Sequence, residues 1–407
     1  MAASRAVLVL NTGSSSIKYA LYNMGKSASC VYQGLVEGIG TPKSSITHKN
    51  LQTVQDVRLQ GLDVGDHKVG LKKVVELLRL GDGPSTNIYA VGHRVVHGGE
   101  ALTKPSIINS EVKSAIDRAS PLAPLHNPPS LQGINVAEEL FHCPQVAVFD
   151  TAFHSTLPPH AYMYALPYKF YEELGIRRYG FHGTSYRYLL GRASEMLKKP
   201  KEEVNIILFH LGAGASMAVV KQGICVDTTM GVTPLEGLVM ATRCGDVDAA
   251  VVDILGAQRG MEMGDVVNVM NKQSGLFGLC GDKDMRTIIQ AAKNGSERHA
   301  LALKVFVHRI RKYLGAYMVQ LGGDVDALVF SAGIGEASGQ IRGLICEGLQ
   351  SFGIELDEQE NKDGHVPAKE IQSRSSKIKV LVIPTDEELS IAQQTMEVVE
   401  SHSHVRL

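Results

Sequence analysis

The chain has 407 residues, 44% hydrophobic and 20% charged, with a net charge of −1 at pH 7. That length accommodates two or more domains with real cores, and the composition is that of a globular protein. The near-zero charge argues against a nucleic-acid partner, and no apolar run approaches the ~20 residues that span a bilayer.

Residues 7–10 read as a buried strand ended by Asn11, and Thr12, Gly13, Ser14, Ser15 and Ser16 as a small polar turn. Ile17, Tyr19 and Leu21 then alternate with Lys18, Ala20 and Tyr22 in a second strand. The tip of this hairpin can cradle a phosphate with backbone N–H groups, or be a hairpin and nothing more; it is not the lysine-bearing P-loop. Residues 30–36 and 45–48 continue the sheet, and residues 69–80 carry a helical stripe of Leu71, Val74, Val75 and Leu78. Residues 88–96 are a strand running into His97-Gly98-Gly99. Ser110 is expected to cap a helix through Ala119, and Ser130 one to Phe141. Pro121, Pro124, Pro128 and Pro129 stiffen a loop around His126. Residues 145–149 are a buried strand delivering Asp150. Residues 162–179 are aromatic and irregular, and Thr184 or Ser185 starts the next helix.

The opening pattern then returns: residues 204–220, VNIILFHLGAGASMAVV, align without gaps beneath residues 5–21. Asn11 falls on His210 and Gly13 on Gly212. Two hairpins of one design suggest an internal duplication, and across a cleft they could hold a polyphosphate from both sides. Residues 297–321 read as a long helix with Leu301, Val305, Ile310, Leu314 and Met318 inward. A third glycine-rich turn, residues 331–337, follows a strand at 326–330 and leads into a helix over 339–352, whose first N–H groups favour anions. Residues 357–377 form a polar surface excursion, and 379–383 a strand. Thr385 or Asp386 caps the last helix, 387 to about 400, with Thr385 and Glu388 at capping-box spacing. The fold class is therefore α/β, with mixed sheets in two related domains.

The six cysteines, Cys30, Cys143, Cys225, Cys244, Cys280 and Cys346, form no C-x-x-C pair, which predicts reduced thiols in an intracellular compartment. The start of the chain shows no secretory signal, so a cytoplasmic protein is expected, or an organellar one whose presequence was removed.

Six residues could carry chemistry. Arg94, at a strand end before Gly-Gly, can clamp a carboxylate or phosphate, or make a surface salt bridge. His97 reads as structural. His126 is either a positioned contact or a satisfied loop histidine. Asp150 can orient a cation, hold metal-bound water, or cap a turn. His182, in YGFHGTS, can face a developing charge or serve the helix start. Arg243 has Asp246 and Asp248 nearby, which either neutralise it or hold it towards phosphate. Glu387 suits magnesium, or only the dipole of its helix. Charge clamps, a metal site and backbone cradles together are what phosphoryl transfer requires.

NTGSSSIKY, GHRVVHGG, FDTAFH, YGFHGTS, FHLGAGAS, RCGDVD, AGIGE and TDEELSIA, in this order from residue 11 to about 392, resemble the acetate kinases. These are short-chain acyl kinases of the sugar kinase, Hsp70 and actin superfamily. The resemblance implies two duplicated ribonuclease H-like domains with a cleft between them. These would be an acyl-kinase domain at 1–150, with the helix 388–407 packing back on it, and a nucleotide-binding domain at 151–387. It implies Mg²⁺ (or Mn²⁺) at Asn11 and Glu387, and a nucleotide contact from Lys18. Arg94 would bind substrate, Asp150 would be the catalytic aspartate, and His182 and Arg243 would stabilise the transition state. Val96, Leu125, Phe181 and Pro234, with His126 beside them, would form the acetate pocket. His210, Leu211, Gly212, Ala213 and Gly214 would be the second phosphate loop. Asp284, Met285 and Arg286, with Gly333, Ile334, Gly335, Glu336 and Ala337, would bind ATP or ADP. Ala213 and Ala337 stand where the family usually has Asn, which predicts weaker or less selective nucleotide binding.

The implied reaction is ATP + acetate ⇌ ADP + acetyl phosphate by in-line transfer, in a homodimer without nucleic-acid or membrane partners, with domain closure excluding water. The alternatives are a propionate or butyrate kinase, a phosphatase on the same fold, and a nucleotide-gated binding protein of the same superfamily.

Overall fold

Strand β1 (Ala6–Thr12) extends beyond its apolar run and keeps Asn11 and Thr12 inside the ladder, paired with Lys18 and Ile17 of β2 (Ser16–Met24). Asn11 therefore does not end the strand, and the hairpin tip shrinks to Gly13, Ser14 and Ser15, closed by Gly13 N–H donating to the Ser16 carbonyl at 2.9 Å. The structure, a computed structural model, describes residues 5–25, 27–79, 88–364 and 367–405. Leu80 of the first expected helix, residues 365–366 of the polar excursion and residues 406–407 lie outside these. The chain divides into two compact units, Met1–Ser155 with Asp386–Leu407, and Thr156–Thr385.

In the first unit, β3 (Ala28–Glu37), β4 (Ser44–Asn50), β5 (Gln55–Leu62), β6 (Ile88–Val95), β7 (Ser106–Ile107) and β8 (Gln145–Phe149) complete an eight-stranded sheet. Its order is β5-β4-β3-β2-β1-β6-β8-β7. β1, β6 and β8 are parallel and the other pairings antiparallel. Helices cover both faces, so the central strands are apolar on both sides. Leu8, Leu10, Tyr19 and Leu21 meet the helices His67–Arg79 and Asn127–Leu140, while Val7, Val9, Ala20 and Tyr22 meet Ile391, Ala392, Met396 and Val399 of the helix Glu387–Val405. Strand β5 was not expected; it is an exposed edge whose Val57 and Leu59 face solvent, so it lacks a buried alternation.

In the second unit, β9 (Ile206–Leu211), β10 (Ala215–Lys221), β11 (Ile224–Thr228), β12 (Ala327–Ser331), β13 (Lys369–Glu370) and β14 (Lys379–Val382) are ordered β11-β10-β9-β12-β14-β13. Here β9, β12 and β14 are parallel and the remaining pairings antiparallel. This repeats the connectivity of β3-β2-β1-β6-β8-β7 strand for strand. The α/β class and the duplicated mixed sheets are thus as expected.

Several local expectations are corrected. The helix Ser110–Ala119 is capped by Asn109, whose side chain accepts from Val112 N–H at 2.9 Å, and Ser110 is its first residue. The next helix begins at Asn127, before Ser130, because Pro128 and Pro129 fit a first turn that needs no N–H donors. It lies tight against β1: a Cβ on Gly133 would sit 2.4 Å from Thr12 Oγ1. The helix after YGFH starts at Gly183, not at Thr184 or Ser185, with His182 as its N-cap residue. In Glu297–Gln320 the buried face is Leu303, Phe306, Val307, Ile310, Leu314, Tyr317 and Met318; Leu301 points outward and Val305 is half-buried. The third glycine-rich segment is not a turn but a helix of its own, Ala332–Ala337, separate from Gly339–Cys346. The helices break at Ser338, whose extended backbone lets its side chain cap Ile341 N–H at 3.3 Å, and Gly339 beside it approaches the Asn361 carbonyl too closely for any Cβ. Asp386 alone caps the last helix, through Leu389 N–H at 2.8 Å. There is no capping box, since Thr385 bonds to Ser185 and Glu388 pairs with Lys18.

Candidate functional site

In the first unit, three parallel strands end side by side. β1 and β6 pair through Leu10 and His93, so Asn11 and Arg94 follow at one level. Val148 lies opposite Arg94, and Asp150 comes just after β8, its N–H held by the Val95 carbonyl at 3.0 Å. Carboxyl ends of parallel strands are where α/β sheets bind ligands. Arg94 donates Nε and Nη2 to the two oxygens of Asp150 at 3.1 and 2.7 Å, a bidentate fork. Asp150 is 1% exposed and Arg94 22%. Burial opposes the Arg94 charge, but Asp150 and Glu387 outweigh it and its pKa is raised. Burial pushes the Glu387 carboxyl up, with Arg94 pulling the other way. Lys18, exposed on β2, pairs with Glu388. Tyr22 donates its hydroxyl to Asp386 at 3.0 Å, fixing the start of the last helix on the sheet.

Val96 is half-buried directly after β6, Leu125 is 67% exposed, and His126 occupies the N-cap position of its helix. Asn127, fully buried, joins these segments: its carboxamide accepts from His97 N–H at 3.1 Å and donates to the His97 carbonyl at 2.9 Å. Phe181 and Pro234, expected in the same pocket, belong to the second unit.

The second unit gathers His182, His210, Arg243 and the loop after β9. His182 sits at φ 60°, a left-handed backbone unusual for a non-glycine residue. Its ring stacks on that of His210 at 4.0 Å between centroids, and its Nδ1 lies 2.8 Å from Ser216 Oγ. A Cβ on Gly214 would stand 3.5 Å from His182 Nε2 and 3.7 Å from Arg243 Nη1. The glycine thus leaves room where these two groups meet. Arg243 Nη1 donates to the Pro234 carbonyl at 3.2 Å, and burial lowers its pKa. Asp246 does not neutralise it: that carboxylate accepts from Gly237 N–H and Tyr313 hydroxyl, each at 2.8 Å, and pairs with Arg309. Asp248 caps Ala250. Among the described residues no carboxylate pairs with Arg243. Its loop is clamped by Gly275, at φ 62°, where a Cβ would collide with the Met240 carbonyl.

His210 Nδ1 lies 2.9 Å from Ser185 Oγ, which bonds Thr385 Oγ1 at 2.8 Å; Thr385 N–H in turn donates to Glu336 at 3.1 Å. This chain of hydroxyls ties the loop of His210, Leu211, Gly212, Ala213 and Gly214 to the helix bearing Gly333, Ile334, Gly335, Glu336 and Ala337. Ala213 is exposed, and its carbonyl accepts from Ala241 N–H at 3.0 Å. Arg342, fully buried, donates to the carbonyls of Gly335, Glu336 and Lys362 and to the Asn361 side chain, each at 2.8 Å, so it caps that short helix from below. Asp284 caps the helix Met285–Lys293 and takes the fork of the exposed Arg286, while Met285 is buried. The Arg286 hydrogen bonds hold the Asp284 carboxyl down at about 2. Sequence reasoning gave no role to Asn127, Ser216 or Arg342, and it read Ser185 and Thr385 only as helix-start residues, although Ser185 and Ser216 lie inside the glycine motifs.

The model of the Acetokinase family matches residues 6–393. The acetate kinase of Oleidesulfovibrio alaskensis is 49% identical over 401 residues, which are 97% of this chain and 99% of that one. Two solved structures share the fold. One is an acetate kinase from Porphyromonas gingivalis, with TM-score 0.92 and 42% identity over 97% of this chain and 100% of the other. The second is a propionate kinase from Francisella tularensis, with TM-score 0.90, 39% identity and the same coverage. This chain therefore belongs to the acetokinase family.

Proposed function

We propose that this chain is an acetate kinase, transferring a phosphoryl group reversibly and in line between ATP and acetate to give ADP and acetyl phosphate. The observation that carries the reading is the half-buried Arg243 guanidinium, which has no carboxylate partner among the described residues and converges with His182 Nε2 on the space left by Gly214. A cation held there without a counter-ion is matched to a ligand that brings its own negative charge. Arg94 binds the acid carboxylate with the edge of its guanidinium that Asp150 does not occupy. Asp150 orients that arginine; no base is required, because acetate is already ionised at pH 7. His182 and Arg243 stabilise the equatorial oxygens in transfer. The two glycine loops and Lys18 hold the polyphosphate, and the segments around Asp284 and Gly333 hold the nucleoside.

Among the described residues no group of three or more His, Cys, Asp or Glu is arranged to hold a metal. Asn11 and Glu387 offer hard oxygen donors in a partial set, which fits Mg²⁺ or Mn²⁺ retaining water and phosphate oxygens. Such an ion neutralises polyphosphate charge when bound. The reading carries with it a homodimer and a cytoplasmic location; among the described residues no helix is long and apolar enough to cross a membrane. The test is a hydroxamate assay over acetate, propionate and butyrate with ATP, GTP and pyrophosphate. Acetate with ATP is expected to give the highest kcat/KM. A methylene in an apolar pocket is worth only ~1–3 kcal/mol, so propionate should follow at reduced efficiency. No acyl phosphate from any acid, or activity confined to pyrophosphate, would overturn the proposal.

A further inference from the structure

We propose that Ser216 and Tyr186 are positioning residues that fix the tautomer of His182, placing its proton on Nε2 and aiming that N–H at the transferred phosphoryl group. The inference rests on the acyl-kinase reading above. Ser216 Oγ is fully buried between two partners, His182 Nδ1 at 2.8 Å and the hydroxyl of Tyr186, itself fully buried. Neutral imidazole has one N–H donor and one acceptor nitrogen, and which is which follows from the bond the other nitrogen makes.

The three groups can be ordered in three ways. Tyr186 can donate to Ser216 and Ser216 to Nδ1; Nδ1 can donate to Ser216 and Ser216 to the phenol oxygen; or both can donate to Ser216, which accepts twice. A phenol is the more acidic hydroxyl and the weaker acceptor, which disfavours the second order, and the third leaves the buried Ser216 proton with neither of these groups as acceptor, so the first order is favoured. It leaves Nδ1 as acceptor and puts the proton on Nε2. That nitrogen is the one on the side of Gly214 and Arg243 Nη1. The reverse order would turn an imidazole lone pair towards phosphoryl oxygens. The pair then divides its work: Arg243 supplies charge and His182 an N–H donor. Stacking on His210 and the left-handed backbone at residue 182 fix the plane in which the relay acts.

The test combines spectroscopy with kinetics. Nitrogen-15 NMR of His182, assigned by comparison with His182→Ala, should show the proton on Nε2 in the wild type. It should show a mixture of tautomers in Ser216→Ala and in Tyr186→Phe, each of which removes one oxygen. Ser216→Ala is expected to lower kcat about 10- to 100-fold with the KM values for acetate and ATP changed less than about threefold, since a donor is weakened only in the transition state. In a His182→Ala background, adding Ser216→Ala should change kcat less than twofold. A wild-type proton on Nδ1, or an equal effect of Ser216→Ala with and without His182, would overturn the proposal. If Ser216→Ala does not fold, Tyr186→Phe decides by the same spectra. The tautomer is read without turnover, so a chain that makes no acyl phosphate would refute the function and leave this measurement standing.

Discussion

Arg243→Ala should separate stability from activity. In the folded chain the guanidinium is half-buried, donates to the Pro234 carbonyl at 3.2 Å, touches Met240 Sδ at 3.8 Å and is lowered in pKa by burial. Removing it loses a hydrogen bond from a charged donor, worth about 1.5–3 kcal/mol, and also relieves the desolvation of an unpaired cation, of similar size. The two nearly cancel, so the unfolding free energy should move by no more than about 1 kcal/mol. Activity has no such compensation. Loss of a charged donor at the developing phosphoryl charge should lower kcat about 10²- to 10⁴-fold, which is about 2.7–5.5 kcal/mol of transition-state stabilisation. Hydroxamate turnover at saturating ATP and acetate gives the first quantity, and urea unfolding of the same preparations the second. Turnover within tenfold of wild type would refute the catalytic role. A loss of more than about 3 kcal/mol of stability would instead identify a structural cation.

Gly214→Ala should fold, since its Cβ would meet His182 and Arg243 at the ordinary contact distances of 3.5 and 3.7 Å. Yet kcat/KM for ATP should fall about 10²-fold, because the methyl occupies the approach to both groups; ATP saturation curves check this, and an unchanged curve would remove the loop from phosphate binding. Arg342→Ala should lose roughly 3–5 kcal/mol in urea unfolding, since three carbonyls and Asn361 lose a buried donor, with Arg342→Lys intermediate. His93 is buried 2.7 Å from Gln145 Oε1, and burial pushes its pKa down to about 4. Its folded pKa lies below the unfolded value near 6.5, so its contribution is present above that value and is lost as pH falls through 4; between pH 7 and 4.5 this is roughly 2 kcal/mol. His93→Gln should lose that much less over the same range in urea titrations, and equal losses would exclude His93 as the source.

The parts of the fold that could be read in advance are those with a strong one-dimensional signal. β1, β6, β8, β9 and β12 are short apolar runs ending in polar residues, and the repeat of residues 5–21 at 204–220 announced a duplication that the two sheet orders display. β5 carried no such signal, because an exposed edge strand has no buried side to mark it. Caps were misplaced by one residue at Asn109 and by four at His126, where several polar residues stand together and only packing chooses among them. The Glu297–Gln320 stripe was set wrongly at Leu301 because a long helix with scattered apolar residues admits more than one face.

The candidate site divides along the same line. Glycines and charged residues in dense motifs could be recognised, whereas the groups that hold them are ordinary hydroxyls and amides whose partners lie far along the chain. Ser216 reaches back to His182, Ser185 forward to Thr385, and Arg342 to Lys362. This also bears on Ala213 and Ala337, which the resemblance implies stand in place of Asn. The backbone at both positions is tied independently of the side chain, by the Ala213 carbonyl to Ala241 N–H and the Ala337 carbonyl to Gly364 N–H at 2.7 Å. A loop anchored through its carbonyls keeps its N–H groups in place when a carboxamide is lost. On the proposed function, loss of a carboxamide at either position would remove side-chain contacts to the nucleotide and leave the backbone N–H groups available to phosphate. On that reading, selectivity among donors is the property most open to change at these positions, while the Ala213 carbonyl goes on anchoring Ala241 in the loop that carries Arg243, whichever side chain residue 213 bears.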